Sequence, residues 1–214
     1  MRTRLVGAER PARLEAEAPV ERLRRPERKR QILEHAKQLF TRLGYQQTTT
    51  EKIAHAAEIT EPVLYRHFAS KKALFLEVLN EVRVATLERW RMETHGLVHP
   101  LERLRAVIDL YVLSAADRAP ELRLLHRTLL EADDADIADA LRNFYLDAEA
   151  FLAGLIADGK SLDEFRADVD PRVGAWELIR NALAFTLTAE LRIPLYQEPD
   201  YVGKAIDCML GGLR

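Results

Sequence analysis

Apolar residues recur at intervals of three and four from Ile32 almost to the end of the chain, and that period restricts the fold more than any other feature. Ile32, Ala36, Leu39, Phe40 and Leu43 open the pattern, and Gly44 stands where a helix C-cap is expected. Thr48-x-x-Glu51 matches a capping box, which predicts a short second helix with Ile53, Ala54 and Ala57 turned inward. Thr60 can cap a third helix from about Glu61 to Phe68, and Ser70 a fourth, in which Leu74, Phe75, Val78, Leu79 and Val82 carry the stripe towards Thr94. Five further helices are expected near 101–117, 120–131, 136–157, 172–191 and 201–212, the 136–157 helix ending at Asp158-Gly159. Alternating apolar and polar runs are rare, and no Asn-Gly or Asp-Gly turn lies between β-rich segments. The expected class is therefore all-α.

The stretch "ITEPVLYRHF", 59–68, is the one part of this pattern whose exposed side calls for a function. Two short helices joined by a tight turn, with a third packed before them, make a helix-turn-helix module whose second short helix can enter the DNA major groove. Pro62 suits the first turn of that helix, where backbone N–H groups have no intrahelical acceptor. With Leu64 and Phe68 inward, Glu61, Val63, Tyr65, Arg66 and His67 form the outer arc. Tyrosine and histidine can donate to phosphate oxygens, and the arginine fork can bind phosphate or a guanine edge. Glu61 either accepts from a cytosine amine or simply favours the positive end of its helix. By spacing alone, the same arc could equally be the solvated face of a small helical bundle.

Charge is distributed in keeping with a nucleic-acid partner. Residues 1–72 hold 16 Lys/Arg against 9 Asp/Glu, a net of +7, and the remainder carries −9. Residues 1–25 form a basic extension, with Arg2, Arg4, Arg10, Arg13, Arg22, Arg24 and Arg25 beside Pro11 and Pro19 and no apolar stripe. It reads either as a flexible solvated tail or as a phosphate-seeking or minor-groove arm.

The run "RQILEHAKQLFTRLGYQQTTTEKIAHAAEITEPVLYRHFASKKALFLEVL", 30–79, resembles the DNA-binding domain of the tetracycline-repressor (TetR) family. The likeness lies in its Ile-Leu-x-x-Ala-x-x-Leu-Phe start, Gly-Tyr, paired threonines, Ile-Ala, Leu-Tyr-x-His-Phe and Lys-x-x-Leu-Phe. Carried over by position, the resemblance implies DNA contacts from Thr49, Thr60, Glu61, Pro62, Val63, Tyr65, His67 and Lys71, to which the residues themselves add Arg66. Two positions depart from the family pattern: Glu58 replaces the glycine common in its turn, and Pro62 the small residue common after its cap. The resemblance implies three segments: the basic extension 1–25, a helix-turn-helix DNA-binding domain over 26–72, and a helical effector-binding and dimerisation domain over 73–214.

Beyond residue 85 the likeness is general. Trp176, Ile179, Leu183, Leu187 and Leu191 line one helix, and Val202, Ala205, Ile206, Met209, Leu210 and Leu213 another. Such a pair suits a two-fold four-helix contact between copies, and Trp176, Ile179, Leu183, Leu187, Ile206, Met209, Leu210 and Leu213 are the expected interface. Tyr111, His126, Phe144, Tyr145, Trp176, Asn181 and Phe185 are polar or aromatic at positions that ought to face inward, which suggests a mostly apolar effector cavity.

No enzyme is expected, because no nucleophile stands with a base and Cys208 lies in the interface stripe. A single cysteine excludes an intrachain disulfide. His95, His99 and His126 lack metal spacing, "EADDAD" reads as a solvated loop, and no cofactor is implied. Runs such as "NALAFTLTA" fall short of the roughly 20 residues that span a bilayer, and the N-terminus lacks a signal peptide's apolar centre, so a cytoplasmic protein is expected. The expected function is a homodimeric transcriptional repressor released from a palindromic operator by a small, largely apolar effector. The alternatives are an effector-free architectural DNA binder and a helical enzyme.

Overall fold

The computed structural model describes residues 25–116, 120–131, 133–189 and 200–213, together with 191, 193, 194 and 198. The expected 1–25 arm lies outside the described residues apart from Arg25. Nine helices are present among them: α1 (Arg25–Gln47), α2 (Thr50–Ala56), α3 (Glu61–Tyr65), α4 (Lys71–Thr94), α5 (Pro100–Ala116), α6 (Pro120–Glu131), α7 (Ala135–Ser161), α8 (Pro171–Ala189) and α9 (Tyr201–Gly211). No strand occurs among the described residues, and the class is all-α as the period predicts.

Several helix ends differ from expectation, each for a local reason. Gly44, at φ 79 and ψ 172, breaks the helix where a C-cap glycine is expected, and a short further turn carries α1 on to Gln47. The kink leaves a carbonyl to satisfy, and Thr48 does so: its buried hydroxyl donates to the Gly44 carbonyl at 2.7 Å. Thr48 is thereby removed from capping, and the next threonine takes over, Thr49 Oγ1 accepting from the Lys52 N–H at 3.2 Å. Thr60 precedes α3 in the extended conformation but makes no side-chain cap, and α3 closes at Tyr65 instead of Phe68. Ser70 caps α4 as expected, accepting from the Ala73 N–H at 3.0 Å. The α7 helix runs through Asp158-Gly159 to Ser161. Gly159 serves packing there, because the Phe165 ring occupies the space a Cβ would take, 2.1 Å away.

Two apolar cores share α4 as a common beam. Ile32, Ala36, Phe40, Ile53, Leu64 and Phe68 bury one face of the first three helices against Leu74, Phe75 and Val78 in the first half of α4. Leu122, Leu124 and Leu125 of α6 and Ile137, Leu141 and Phe144 of α7 complete the same core. Packing is therefore continuous across residue 72. Leu87 and Trp90, further along α4, belong to the second core with α5, α7, α8 and α9. Tyr111 and Tyr145 pack against both.

Burying this surface at about 25 cal/mol per Å² is what holds so many short helices together, since a helix of five or seven residues has no stability of its own. Charged pairs then set the position of α7 on α4. Lys72 reaches Asp136 at 2.6 Å and Asp134 at 3.2 Å, while Asp134 also caps α7. Arg83 binds Asp147 at 2.7 Å. The α7 and α8 helices run antiparallel, with Glu149 beside Trp176 and Ile156 against Gly174. No helix among the described residues is long and apolar enough to cross a membrane.

Candidate nucleic-acid interface and core cavity

Leu64 is fully buried and Phe68 nearly so, which fixes the rotation of α3 about its axis. Pro62, Tyr65 and Arg66 are exposed as a result, and Glu61, Val63 and His67 are partly exposed. The Tyr65 hydroxyl lies 3.3 Å from Thr50 Oγ1 at the start of α2, so the phenol is tied to the preceding helix. Thr49 and Thr60 are both exposed at the two N-termini, on either side of the turn. Glu58 carries that turn at φ 53, a left-handed conformation in which a side chain is strained. A glycine would be free of that strain, and Glu58 adopts the conformation at a cost.

Lys71 is placed differently from a free phosphate ligand. Its ammonium donates to the Tyr45 carbonyl at 3.0 Å and the Thr48 carbonyl at 3.1 Å, and sits 4.2 Å from the centroid of the Tyr45 ring. Burial lowers its pKa. Two of its three donors are used in closing the end of α1, which leaves one for a ligand.

Sequence reasoning placed Arg25 in the basic extension but missed Arg28 and Lys29 at the start of α1. His67 has its pKa lowered by burial first and then by the charges of Arg25, Arg28 and Lys29. These cations therefore lie close enough to α3 to raise the local potential, although Lys29 also binds Glu77 at 2.5 Å and Arg28 donates to Gln31 at 2.7 Å. The signal was present in the run "RRPERKR", whose charges could not be assigned to the reading edge before α1 was placed beside it.

The seven expected pocket residues separate into three locations. Tyr111, Phe144 and Tyr145 line an apolar cavity of about 40 Å³ together with Trp90 of α4, Ile108 of α5 and Leu178 of α8. His126 stands behind Tyr111, with Nε2 at 2.6 Å from the tyrosine hydroxyl. Burial pushes the His126 pKa down to about 4, so the ring is neutral near pH 7. Trp176 turns elsewhere: its indole N–H donates to the buried Glu149 carboxylate at 2.8 Å, and it lines an outer groove with Leu129, Leu141 and Arg142. Glu149 also binds Arg172, and these two bonds hold its pKa below the usual carboxylate range.

Asn181 and Phe185 lie outside the cavity as well. They line an open groove between α8 and α9, where the Asn181 amide donates to the Glu177 carbonyl at 2.8 Å and Phe185 stacks on Tyr201. The correction follows from helix rotation: Leu178 and Ile179 take the inward face of α8, which turns Asn181 out.

The residues expected at a contact between copies take two kinds of place within the chain. Ile179, Ile206, Leu210 and Leu213 are buried in the chain's own second core, because α9 needs its most apolar stripe to close that core. Leu187 is 47% exposed, and Trp176, Leu183 and Met209 are partly buried. The outer surface of α8 and α9 is carried by Asn181, Ala184, Leu187, Lys204 and Cys208.

Comparison with known proteins bears on both halves. The family described as bacterial regulatory proteins, tetR family, matches residues 32–78, and the tetracyclin repressor-like C-terminal domain matches 100–209. The HTH-type transcriptional regulator QacR of Staphylococcus aureus is 43% identical over 65 residues, 30% of this chain and 35% of QacR. The match thus spans about a third of that relative's length. The nucleoid occlusion factor SlmA of Vibrio atlanticus is 27% identical over 158 residues, 73% of this chain and 80% of SlmA. The crystal structure of the transcriptional regulator FadR from Bacillus subtilis in complex with stearoyl-CoA superposes with a TM-score of 0.70 at 20% identity, covering 86% of this chain and 99% of FadR.

Proposed function

The chain belongs to the TetR family of bacterial DNA-binding transcriptional regulators, and from that premise we propose that it is a homodimeric repressor released from a palindromic operator by a small apolar effector. The observation that carries the DNA reading is the anchoring of α3 by Leu64 and Phe68, which presents Pro62, Tyr65 and Arg66 beside a cluster of cations. In this reading residues 26–72 dock on DNA and 73–214 regulate the docking. Thr49, Thr60, Tyr65, His67 and Lys71 bind phosphates, while Glu61, Pro62, Val63 and Arg66 face base edges.

A helix as short as α3 covers only a few base pairs, so two copies on a two-fold axis are needed, with their reading helices about 34 Å apart. The outer faces of α8 and α9, with an open groove of about 650 Å³ lined by Phe185, Tyr201 and Met209, are where a second copy would pack.

Release follows from where the cavity sits. Trp90 lines it, and Trp90 shares α4 with Lys71. A space of about 40 Å³ holds little more than a water or two, so an effector must move its walls. Displacing α4 changes the separation of the two reading helices. The effector must bind the displaced state better than the DNA-competent one, since only that difference shifts the equilibrium. FadR, which shares this fold, is found in complex with stearoyl-CoA, a molecule with a long acyl chain and a charged coenzyme part, which supports a small-molecule effector for this fold.

Selection of bound fragments from random and genomic DNA tests the reading, because it yields the operator and its half-site spacing together. Paired half-sites bound by a dimer are expected, and a monomer that ignores duplex DNA of every composition would overturn it. The small cavity favours one second reading, an architectural DNA-binding protein that works without an effector. In that case no apolar compound would alter the DNA affinity.

A further inference from the structure

The cavity reading can be taken further, to the chemical class of the effector. Trp90, Val107, Ile108, Leu152 and Leu178 surround the space with hydrocarbon and ring surface, and no charged side chain among the described residues lines it. Two tyrosines, Tyr111 and Tyr145, line it as well. Tyr111 is engaged with His126, whereas the Tyr145 hydroxyl is buried and has no hydrogen-bond partner. An unpaired buried hydroxyl is costly and uncommon, and in a binding site it marks the place where a ligand atom completes the bond. Burial raises the pKa of this phenol to about 12, so it is a neutral donor near pH 7.

Tyr145 also lines the outer groove of about 320 Å³, with Leu129, Ala138, Leu146 and Trp176. One ring thus lines both spaces. Because Tyr145 is shared by the two linings, a rotation of its ring is the movement by which the small cavity can gain room from the groove. The same ring packs against both apolar cores.

We propose that Tyr145 is the gate and specificity-determining residue of the effector site, and that the site takes an uncharged, apolar compound bearing a hydrogen-bond-accepting oxygen, such as a ketone, bonded to the Tyr145 hydroxyl. This inference rests on the effector reading above. A carboxylate or an ammonium is rejected because nothing in the cavity replaces its hydration. A plain hydrocarbon fits but leaves the hydroxyl unpaired.

The test uses four compounds of one ring size, cyclohexanone, methylenecyclohexane, cyclohexanecarboxylate and cyclohexylammonium, titrated by ligand-observed NMR against the full chain and its Tyr145→Phe variant. Cyclohexanone should bind the wild type and lose about three- to tenfold in affinity to Tyr145→Phe, the range expected for one net hydrogen bond. Methylenecyclohexane should bind both proteins equally or favour the variant, and the two ions should not compete. Equal ketone affinity for both proteins, competition by either ion, or no binding by any of the four would overturn the proposal. Fluorescence anisotropy of a selected DNA fragment in the same samples separates the two readings. Tyr145-dependent ketone binding without loss of DNA would sink effector release and leave the site assignment intact. Release by the ketone with equal sensitivity in both proteins would do the reverse.

Discussion

Replacing Gly44 by alanine tests how the end of α1 is built. At φ 79 and ψ 172 this residue occupies a region that is essentially restricted to glycine, where a side chain costs about 1–3 kcal/mol. Alanine also narrows the unfolded ensemble, which offsets about 0.4–1 kcal/mol. The added Cβ would lie 2.6 Å from Arg127 Nε and 2.7 Å from Arg127 Cζ. The contact atoms belong to the far end of a long side chain, which can shift, so the steric part is small beside the backbone strain. A net loss of about 1–2 kcal/mol is expected, or roughly 2–8 °C in Tm for a domain of this size. Urea denaturation at fixed protein concentration measures it. Two controls isolate the cause. In an Arg127→Ala background the loss should persist, since strain does not depend on that contact. Gly154→Ala, in the α7 interior with open space around it, should instead stabilise by about 0.5–1 kcal/mol. A Gly44→Ala loss below about 0.5 kcal/mol, or one abolished by Arg127→Ala, would refute backbone strain as the reason for this glycine. DNA affinity should fall as well, because the Gly44 carbonyl holds Thr48 and Thr49 caps α2.

Glu58→Gly should raise stability by about 1 kcal/mol in the same assay, by relieving the left-handed strain of the turn before α3; a loss would refute that source of strain. Lys71→Met, which keeps the stem over Tyr45, should flatten the dependence of log affinity on log salt by about 0.9 per chain, and an unchanged slope would show that its third donor does not reach phosphate. His126 gives a pH window: its folded pKa of about 4 lies below the unfolded value of about 6.5, so between these the unfolded chain binds the extra proton. Stability should therefore be fully present above about pH 6.5 and fall by up to about 3 kcal/mol as pH drops towards 4, and His126→Gln should remove that part of the decline. Tyr145→Phe should stabilise the protein by about 1 kcal/mol while it weakens ketone binding, since it removes a buried hydroxyl that has no partner.

Much of the fold was legible because period and capping are local. Ile32, Phe40, Leu64, Phe75 and Val78 recur at helical spacing, and each is buried where that spacing puts it. Exchanges between neighbours were not legible. Thr48 and Thr49 are identical in type, and only the kink at Gly44 determines that the first satisfies a carbonyl while the second caps α2. Lys71 was recognisable as a cation at the start of α4, but its use of two donors on Tyr45 and Thr48 depends on where α1 ends.

The chain's own residues determine the nine helices among the described residues, an all-α class and a reading helix with Leu64 and Phe68 inward, because those outcomes follow from spacings of a few residues. Tertiary structure alone decided which face of α8 and α9 turns inward. An amphipathic stripe specifies that it will be buried but not against what, so Ile206 and Leu210 went to the chain's own core while Asn181 and Phe185 were left on its outer surface. Long-range packing likewise brought Arg25, Arg28 and Lys29 towards His67 and set Tyr145 in the lining of both the cavity and the outer groove, since contacts between distant segments are set by the whole assembly of helices.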